Sequence, residues 1–363
     1  MLQDNEFTTY KFLTPMSKDN VNHNTEDIIL EIKNLKTHFM LDTGTIRAVD
    51  GVNFTISRSK TLGVIGESGC GKSVTAHSIL RLIPSPPGEI VDGEIVLHRD
   101  GQAIDVTKLK PTEEAMQNIR GNDIGMIFQE PMTSFGPLHT IGDQITETIL
   151  IHNKAANKSE ARDQAVDLLR QVGIPNPEQR IDAYPHEFSG GMRQRAMIAM
   201  ALCCSPMLLI ADEPTTSLDV TIEAQILELL TDLQEQTGMA IMLISHNLAV
   251  VSEMADDIAV MYLGKRVEFG TTDAIFENPL HPYTKGLWQS IPSVDGPLEK
   301  LVPIPGVVPS PRDLPPGCVF ASRCSEFMPG VCDQPKPVPI IEAESNHFVA
   351  CYLYDNNALS GKL

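Results

Sequence analysis

No run of about eighteen apolar residues occurs in the 363-residue chain, so the sequence offers no helix able to cross a bilayer. Docking onto proteins that do cross one stays open. Cations are scarce: 28 Lys and Arg stand against 47 Asp and Glu, a formal net charge of −19. Nonspecific binding to nucleic acid rests on neutralising phosphates with Lys and Arg, so this balance argues against a nucleic-acid partner. The N-terminal stretch lacks the basic start and apolar core of a secretory signal. Without an export signal, the seven cysteines do not read as a disulfide framework. Internal repeats are missing too. Residues 1–26 have no amphipathic period and read, like 355–363, as tails.

What is present is ordinary globular composition, 42% hydrophobic and 21% charged, enough for a core in one or two domains. Residues 28–57 read as two or three strands around a turn at "DTGT". "TLGVIG" is a short apolar strand ending in a glycine-rich turn, and "KSVTAHSILRLI" continues it as a helix. "GEIVLH" and "DIGMIFQ" read as further strands, followed by helical periodicity from 141 to 183. A Ser-Gly-Gly turn and its helix come next, then the strand "MLLIADE", the helix "IEAQILELLTDLQEQ", the strand "AIMLIS" and a closing hairpin in "DDIAVMYLGKRVEFG". Strands alternating with helices predict an α/β fold on a largely parallel sheet, with a helical insert at about 130–190. From about residue 292 the pattern fails, and the Pro- and Gly-rich chain reads as loop. Cys70, Cys203 and Cys204 fall within expected regular elements and read as small buried apolar residues.

"GESGCGKS", Gly66 to Ser73, is a phosphate loop in the context the motif requires, after a strand and opening a helix. Gly66, Gly69 and Gly71 let the backbone curl so that N–H groups face the β- and γ-phosphates of a nucleotide. Glu67, Ser68 and Cys70 complete the loop. Lys72 adds a point charge, the Ser73 hydroxyl is a Mg²⁺ ligand, and the helix running on through Val74 contributes its positive end. The strand "MLLIADE" delivers Asp212 and Glu213 to the sheet edge where ligands of open α/β sheets collect. Asp212 is suited to hold Mg²⁺ through its water shell, and Glu213 to orient or deprotonate an attacking water. In "FSGGMRQR", Ser189, Gly190 and Gly191 form a second anion-binding turn ahead of a helix, although the chain already has a phosphate loop.

These motifs resemble the nucleotide-binding subunit of an ABC transporter, a P-loop ATPase with an antiparallel β subdomain and a helical insert. "FSGGMRQR" is similar to that superfamily's signature, "IFQE" to its Q-loop with Gln129, "TTSLDV" to its D-loop with Asp219, and "LISHN" to its switch histidine, His246. Phe39 holds the place of the aromatic that stacks on adenine. "NPLHPYTKGLW" narrows the resemblance to di/oligopeptide importer ATPases, and the signature form is most like their D-type subunit, which pairs with a distinct F-type ATPase. The resemblance divides the chain into an ATPase domain at 27–277 and an importer-type C-terminal region at 278–354. It implies ATP and Mg²⁺, with Gln129 also reaching the metal, and catalysis by Glu213, His246 and Lys72. It implies that two ATPases meet head to tail, so that Ser189, Gly190 and Gly191 face the γ-phosphate held by the partner's loop. The implied partners are an F-type ATPase or a second copy, two permease subunits and, indirectly, an extracytoplasmic substrate-binding protein. The place is peripheral, on the cytoplasmic face of the membrane.

Three residues depart from the pattern. Asn247 stands where Asp is usual, with a mild effect expected; Gly136 replaces Asn, which predicts a looser loop after Gln129; Ser217 replaces Ala conservatively. Cys318, Cys324, Cys332 and Cys351 leave intervals of five, seven and eighteen residues, unlike a short zinc knuckle. The resemblance implies a [4Fe–4S] cluster on these four, with Zn²⁺ or unligated thiols as alternatives. The rival reading is a soluble ABC-type ATPase acting on ribosomes or DNA. Such proteins usually carry two cassettes or a long coiled coil, and this chain has neither.

Overall fold

The computed structural model describes residues 27–130, 134–216, 218–290 and 303–355. The tails at 1–26 and 356–363, and the substituted Ser217, lie outside the described residues. Two strands open the fold, β1 (Ile28–Leu41) and β2 (Gly44–Ser57), joined by the two-residue turn at Asp42 and Thr43. With β4 (Gly88–Arg99) and β5 (Gln102–Asp105) they form a four-stranded antiparallel sheet in the order β2-β1-β4-β5.

The main sheet is built on five parallel strands in the order β9-β3-β8-β7-β6: β9 (Asp257–Tyr262), β3 (Thr61–Ile65), β8 (Ala240–Ile244), β7 (Leu208–Asp212) and β6 (Ile124–Ile127). Every residue of β3, β7, β8 and β6 is buried, as parallel strands covered on both faces require. Alternate residues feed two cores. Leu208, Ile210, Ala240, Met242 and Ile244 pack toward the antiparallel sheet, whereas Leu209, Ala211, Ile241 and Leu243 pack toward the helices. The helical side holds α3 (Ile141–Ile151), α4 (Lys158–Gln171) and α6 (Gly190–Leu202), with the short α5 (Pro177–Arg180) between; Thr140, Asn157 and Ser189 cap the three longer ones through side-chain oxygens. Among the described residues, no helix is long and apolar enough to cross a membrane.

Several expectations need correction. Helix α1 spans Lys72–Ile79 and stops short of Ile83; the short α2 (Glu114–Asn118) comes later, between β5 and β6. Arg81 is left-handed (φ 53°), and the Arg120 side chain takes the Leu80 and Arg81 carbonyls at 2.7 and 2.8 Å. A distant cation thus satisfies the carbonyls that one more turn would have used. Cys70 lies in the loop before α1, and Cys203 and Cys204 in the turn after α6, although all three are buried as expected. Gly136 is not loosely held: its N–H donates to Gln144 Oε1 at 2.8 Å and its carbonyl accepts from Gln144 Nε2 at 3.2 Å.

The C-terminal part is more regular than its composition predicts. Strand β10 (Lys265–Thr271) returns along β9 and leads into the helices Thr272–Glu277 and Pro282–Gln289. Beyond an irregular stretch, β11 (Ile341–Glu344) and β12 (His347–Val349) form a hairpin that joins the main sheet, pairing Val349 with Glu268 and Phe348 with Phe269. Strands of three and four residues are too short to register a period of two.

Candidate nucleotide site

The turn between β3 and α1 is possible only with glycine. Gly66 has φ 149° and Gly71 φ 102°; a Cβ would sit 2.1 Å from the Met261 carbonyl oxygen at the first and 2.3 Å from that of Ala48 at the second. Lys72 is 5% exposed, and its ammonium donates to the carbonyls of Gly66 (2.7 Å) and Glu67 (3.3 Å). Both of these partners are neutral backbone oxygens, not carboxylates. Cys70 is a buried packing residue, its thiol pushed up by burial. Ser68 and Gly69 are exposed, and Val74 is half-buried on α1.

Strand β7 brings the carboxylates to this loop. Asp212 accepts from the Ser73 hydroxyl at 3.1 Å; burial, with the charge of Glu213 a smaller contributor, raises its pKa. A buried carboxylate beside a hydroxyl is the oxygen donor set of a hard cation such as Mg²⁺. Glu213 is clasped by three side chains. Gln129 Nε2 donates to Oε2 at 2.8 Å and the Thr216 hydroxyl to the same oxygen at 2.9 Å; His246 Nδ1 lies 3.4 Å from Oε1. Loop, strand end, Gln129 and His246 therefore form one connected polar set. Asn247 caps the helix Leu248–Met254, its Oδ1 accepting from the Ala249 N–H at 3.2 Å, a role asparagine fills as well as aspartate.

The other predicted residues sit elsewhere. Phe39 is half-buried on β1, across from Ile46 on β2 and Gly88 on β4. Ser189 caps α6, its Oγ accepting from the Met192 N–H at 3.3 Å, and Asp219 caps the helix Val220–Thr237. These two helix starts adjoin, since a Cβ on Gly191 would lie 3.1 Å from Ile222 Cγ2. Among the described residues, no hydrogen bond joins Ser189, Gly190 or Gly191 to the phosphate loop.

Two residues that the sequence reading passed over touch the loop. Arg323 makes a two-pronged ion pair with Glu67, and the Tyr283 hydroxyl accepts from the Glu67 N–H. Tyr283 falls in "NPLHPYTKGLW", noted only for its family; nothing in the sequence pointed to Arg323.

Of the four late cysteines, Cys318, Cys332 and Cys351 are buried and Cys324 is half-buried. Burial pushes the thiols of Cys318 and Cys351 up to about 11 and about 12. The implied metal cluster finds no support here: among the described residues no group of three or more His, Cys, Asp or Glu is placed to hold a metal ion.

Residues 49–216 match a family model described as "ABC transporter", and residues 267–332 one described as "Oligopeptide/dipeptide transporter, C-terminal region". The oligopeptide transport ATP-binding protein AppD of Bacillus subtilis (strain 168) is 52% identical over 327 residues, covering 90% of this chain and 97% of that protein. The dipeptide transport ATP-binding protein DppD of the same organism is 48% identical over 330 residues, 91% and 96% of the two chains. Among solved structures, a dimeric post-hydrolysis state of the ATP-binding cassette MJ0796, bound to ADP and Pi, is similar at TM-score 0.59 and 25% identity, over 67% of this chain and 99% of that one. The structure of cbiO1 from Clostridium perfringens, part of the ABC transporter complex cbiONQ, is similar at TM-score 0.57 and 26% identity, over 69% and 92%.

Proposed function

The chain belongs to the ATP-binding subunits of oligopeptide and dipeptide ABC transporters, and from that premise we propose that it powers import of peptides through a membrane permease. It is an ATPase of the ABC cassette fold. The observation that carries the reading is the placing of Glu213. Its carboxylate is held between Gln129 and His246, one residue from the Asp212–Ser73 contact at the phosphate loop. A carboxylate so fixed can orient and deprotonate a water attacking the γ-phosphate. Lys72 and the loop amides stabilise the charge that spreads over the transferred phosphoryl group. Ser73 and Asp212 would hold Mg²⁺, with Gln129 close by on the far side of Glu213, and the ion would supply charge neutralisation for the nucleotide phosphates. Phe39 stacks on the adenine, and Asp219 lies at the junction with a second ATPase.

Ser189, Gly190 and Gly191 contact the γ-phosphate on the partner's loop, with the N-terminus of α6 directed there. Among the described residues these three make no hydrogen bond to the chain's own loop, which supports this reading, as does the dimeric form of the similar cassette MJ0796. The partner is an F-type ATPase or a second copy. Two permeases bind near the helical side, and an extracytoplasmic receptor supplies peptide indirectly. The subunit sits peripherally on the cytoplasmic face, where ATP closes the pair and hydrolysis reopens it, biasing the permease between two states. The rival ribosome- or DNA-directed reading has no support among the relatives named above.

The reading is tested in vesicles holding the permeases, both ATPases and the receptor. ATP-dependent accumulation of peptide is expected, and Lys72→Ala in this chain should cut it at least about tenfold. Uptake indifferent to ATP, or to that substitution, contradicts it.

A further inference from the structure

The loop that carries Lys72 is braced by a residue 256 positions away in the sequence. Glu67 is held at each of its polar groups. Its carboxylate accepts from both terminal nitrogens of Arg323, at 2.7 and 3.1 Å. Its N–H donates to the Tyr283 hydroxyl at 2.8 Å. Its carbonyl accepts from Lys72 Nζ at 3.3 Å and from the Cys70 N–H at 3.2 Å. The ammonium that meets the phosphates thus shares an anchor with the C-terminal segment.

Arg323 is itself built into that segment. Its side chain is 4% exposed; Nε donates to the Pro305 carbonyl at 2.9 Å and Nη1 to the Tyr262 hydroxyl at 3.3 Å. The guanidinium lies 5.8 Å from the Tyr262 ring centre and 6.0 Å from that of Phe320. Those two rings pack on Tyr283, with centroids 4.7 Å (Tyr262–Tyr283) and 5.4 Å (Tyr283–Phe320) apart. Strand β9, the helix Pro282–Gln289 and the turn at 320–323 therefore form one unit that grips the loop. Burial of the pair adds little to fold stability by itself, because apolar side chains of similar volume serve as well. What a planar fork on a carboxylate adds is a fixed position.

We propose that Arg323 and Tyr283 are positioning residues for the phosphate loop, so that the C-terminal segment sets how tightly this chain holds ATP. The proposal rests on the reading of residues 66–73 as the ATP loop.

The test is ATP hydrolysis against ATP concentration in the complex of the full chain with its mate and permeases. Arg323→Met should raise KM about tenfold with kcat changed less than about twofold, the loss expected for a charge-assisted contact. Tyr283→Phe, which keeps the ring and its packing, should raise KM about threefold and carries the test if the first variant fails to fold. Arg323→Lys should recover only part of the loss, having charge but no fork. Combining Arg323→Met with Glu67→Gln should raise KM no further than the worse single change, because both break one contact. Unchanged KM in Arg323→Met and Tyr283→Phe, or a double variant equal to the product of its singles, overturns the proposal. A wild-type complex that hydrolyses no ATP overturns instead the reading of the loop on which it rests.

Discussion

Glu213 has a backbone φ of 48°, a left-handed conformation that costs a non-glycine residue roughly 1–3 kcal/mol. Its N–H donates to the Ile244 carbonyl at 2.9 Å, and its carboxylate bonds to Gln129 and Thr216 hold the turn in place. Strain of this kind persists where the surroundings over-determine it, and here it aims a carboxylate off the end of β7. Glu213→Gln keeps the shape but removes the carboxylate proposed as the base. In the assembled complex the variant is expected to bind ATP near wild-type affinity and hydrolyse it about 10²–10⁴-fold more slowly; undiminished turnover removes Glu213 from this role. Glu213, Lys72, Ser73, Asp212, Gln129 and His246 were all legible in the sequence, because each stands at a fixed offset within a local motif. Arg323 was not. Its partner Glu67 is far away in the chain, and no local pattern marks a residue whose purpose is a long-range contact.

At the scale of elements, the helix Pro282–Gln289 shows how the C-terminal region is tied to the sheet. His281 caps it, Nδ1 accepting from the Tyr283 N–H at 3.0 Å, while the Leu280 and His281 N–H groups donate to Glu268 on β10 at 2.7 and 2.9 Å. A ring nitrogen that accepts must be unprotonated. Burial lowers the His281 pKa to about 4 from an ordinary 6.5, the charge of Glu268 opposing the shift in part. The unfolded chain therefore takes up a proton near pH 6.5 that the folded chain refuses until about pH 4. Stability from this group is fully present above the upper value and is lost as pH falls between the two, by roughly 3 kcal/mol in all. Urea unfolding at about pH 8 and about pH 5 should show a smaller difference in His281→Asn, which can still cap the helix, than in the wild type. Equal pH dependence in both contradicts the assignment. The long apolar-periodic helices and the buried strands were legible as elements. The early end of α1 was not, since Arg120 supplies the cap from another part of the chain, and neither was the β11–β12 hairpin, whose few residues alternate too briefly to be seen.

For the whole molecule, two sheets and two apolar cores place the loop, the carboxylates, Gln129 and His246 at one edge, and the signature turn on α6 outside that connected set. The parallel class of the main sheet followed from alternating strands and helices. Its order did not, because β3, β7 and β8 have nearly interchangeable apolar sequences and pair according to connections and covering helices. The separation of loop and signature carries the central claim, that each chain supplies half of two nucleotide sites. The most direct measurement is ATP turnover per chain, by the purified chain verified as monomeric and by the same chain assembled with its mate. Because the monomer lacks the opposing signature amides, it is expected to turn over at least about 100-fold more slowly than the assembly. Full turnover by the verified monomer contradicts the account.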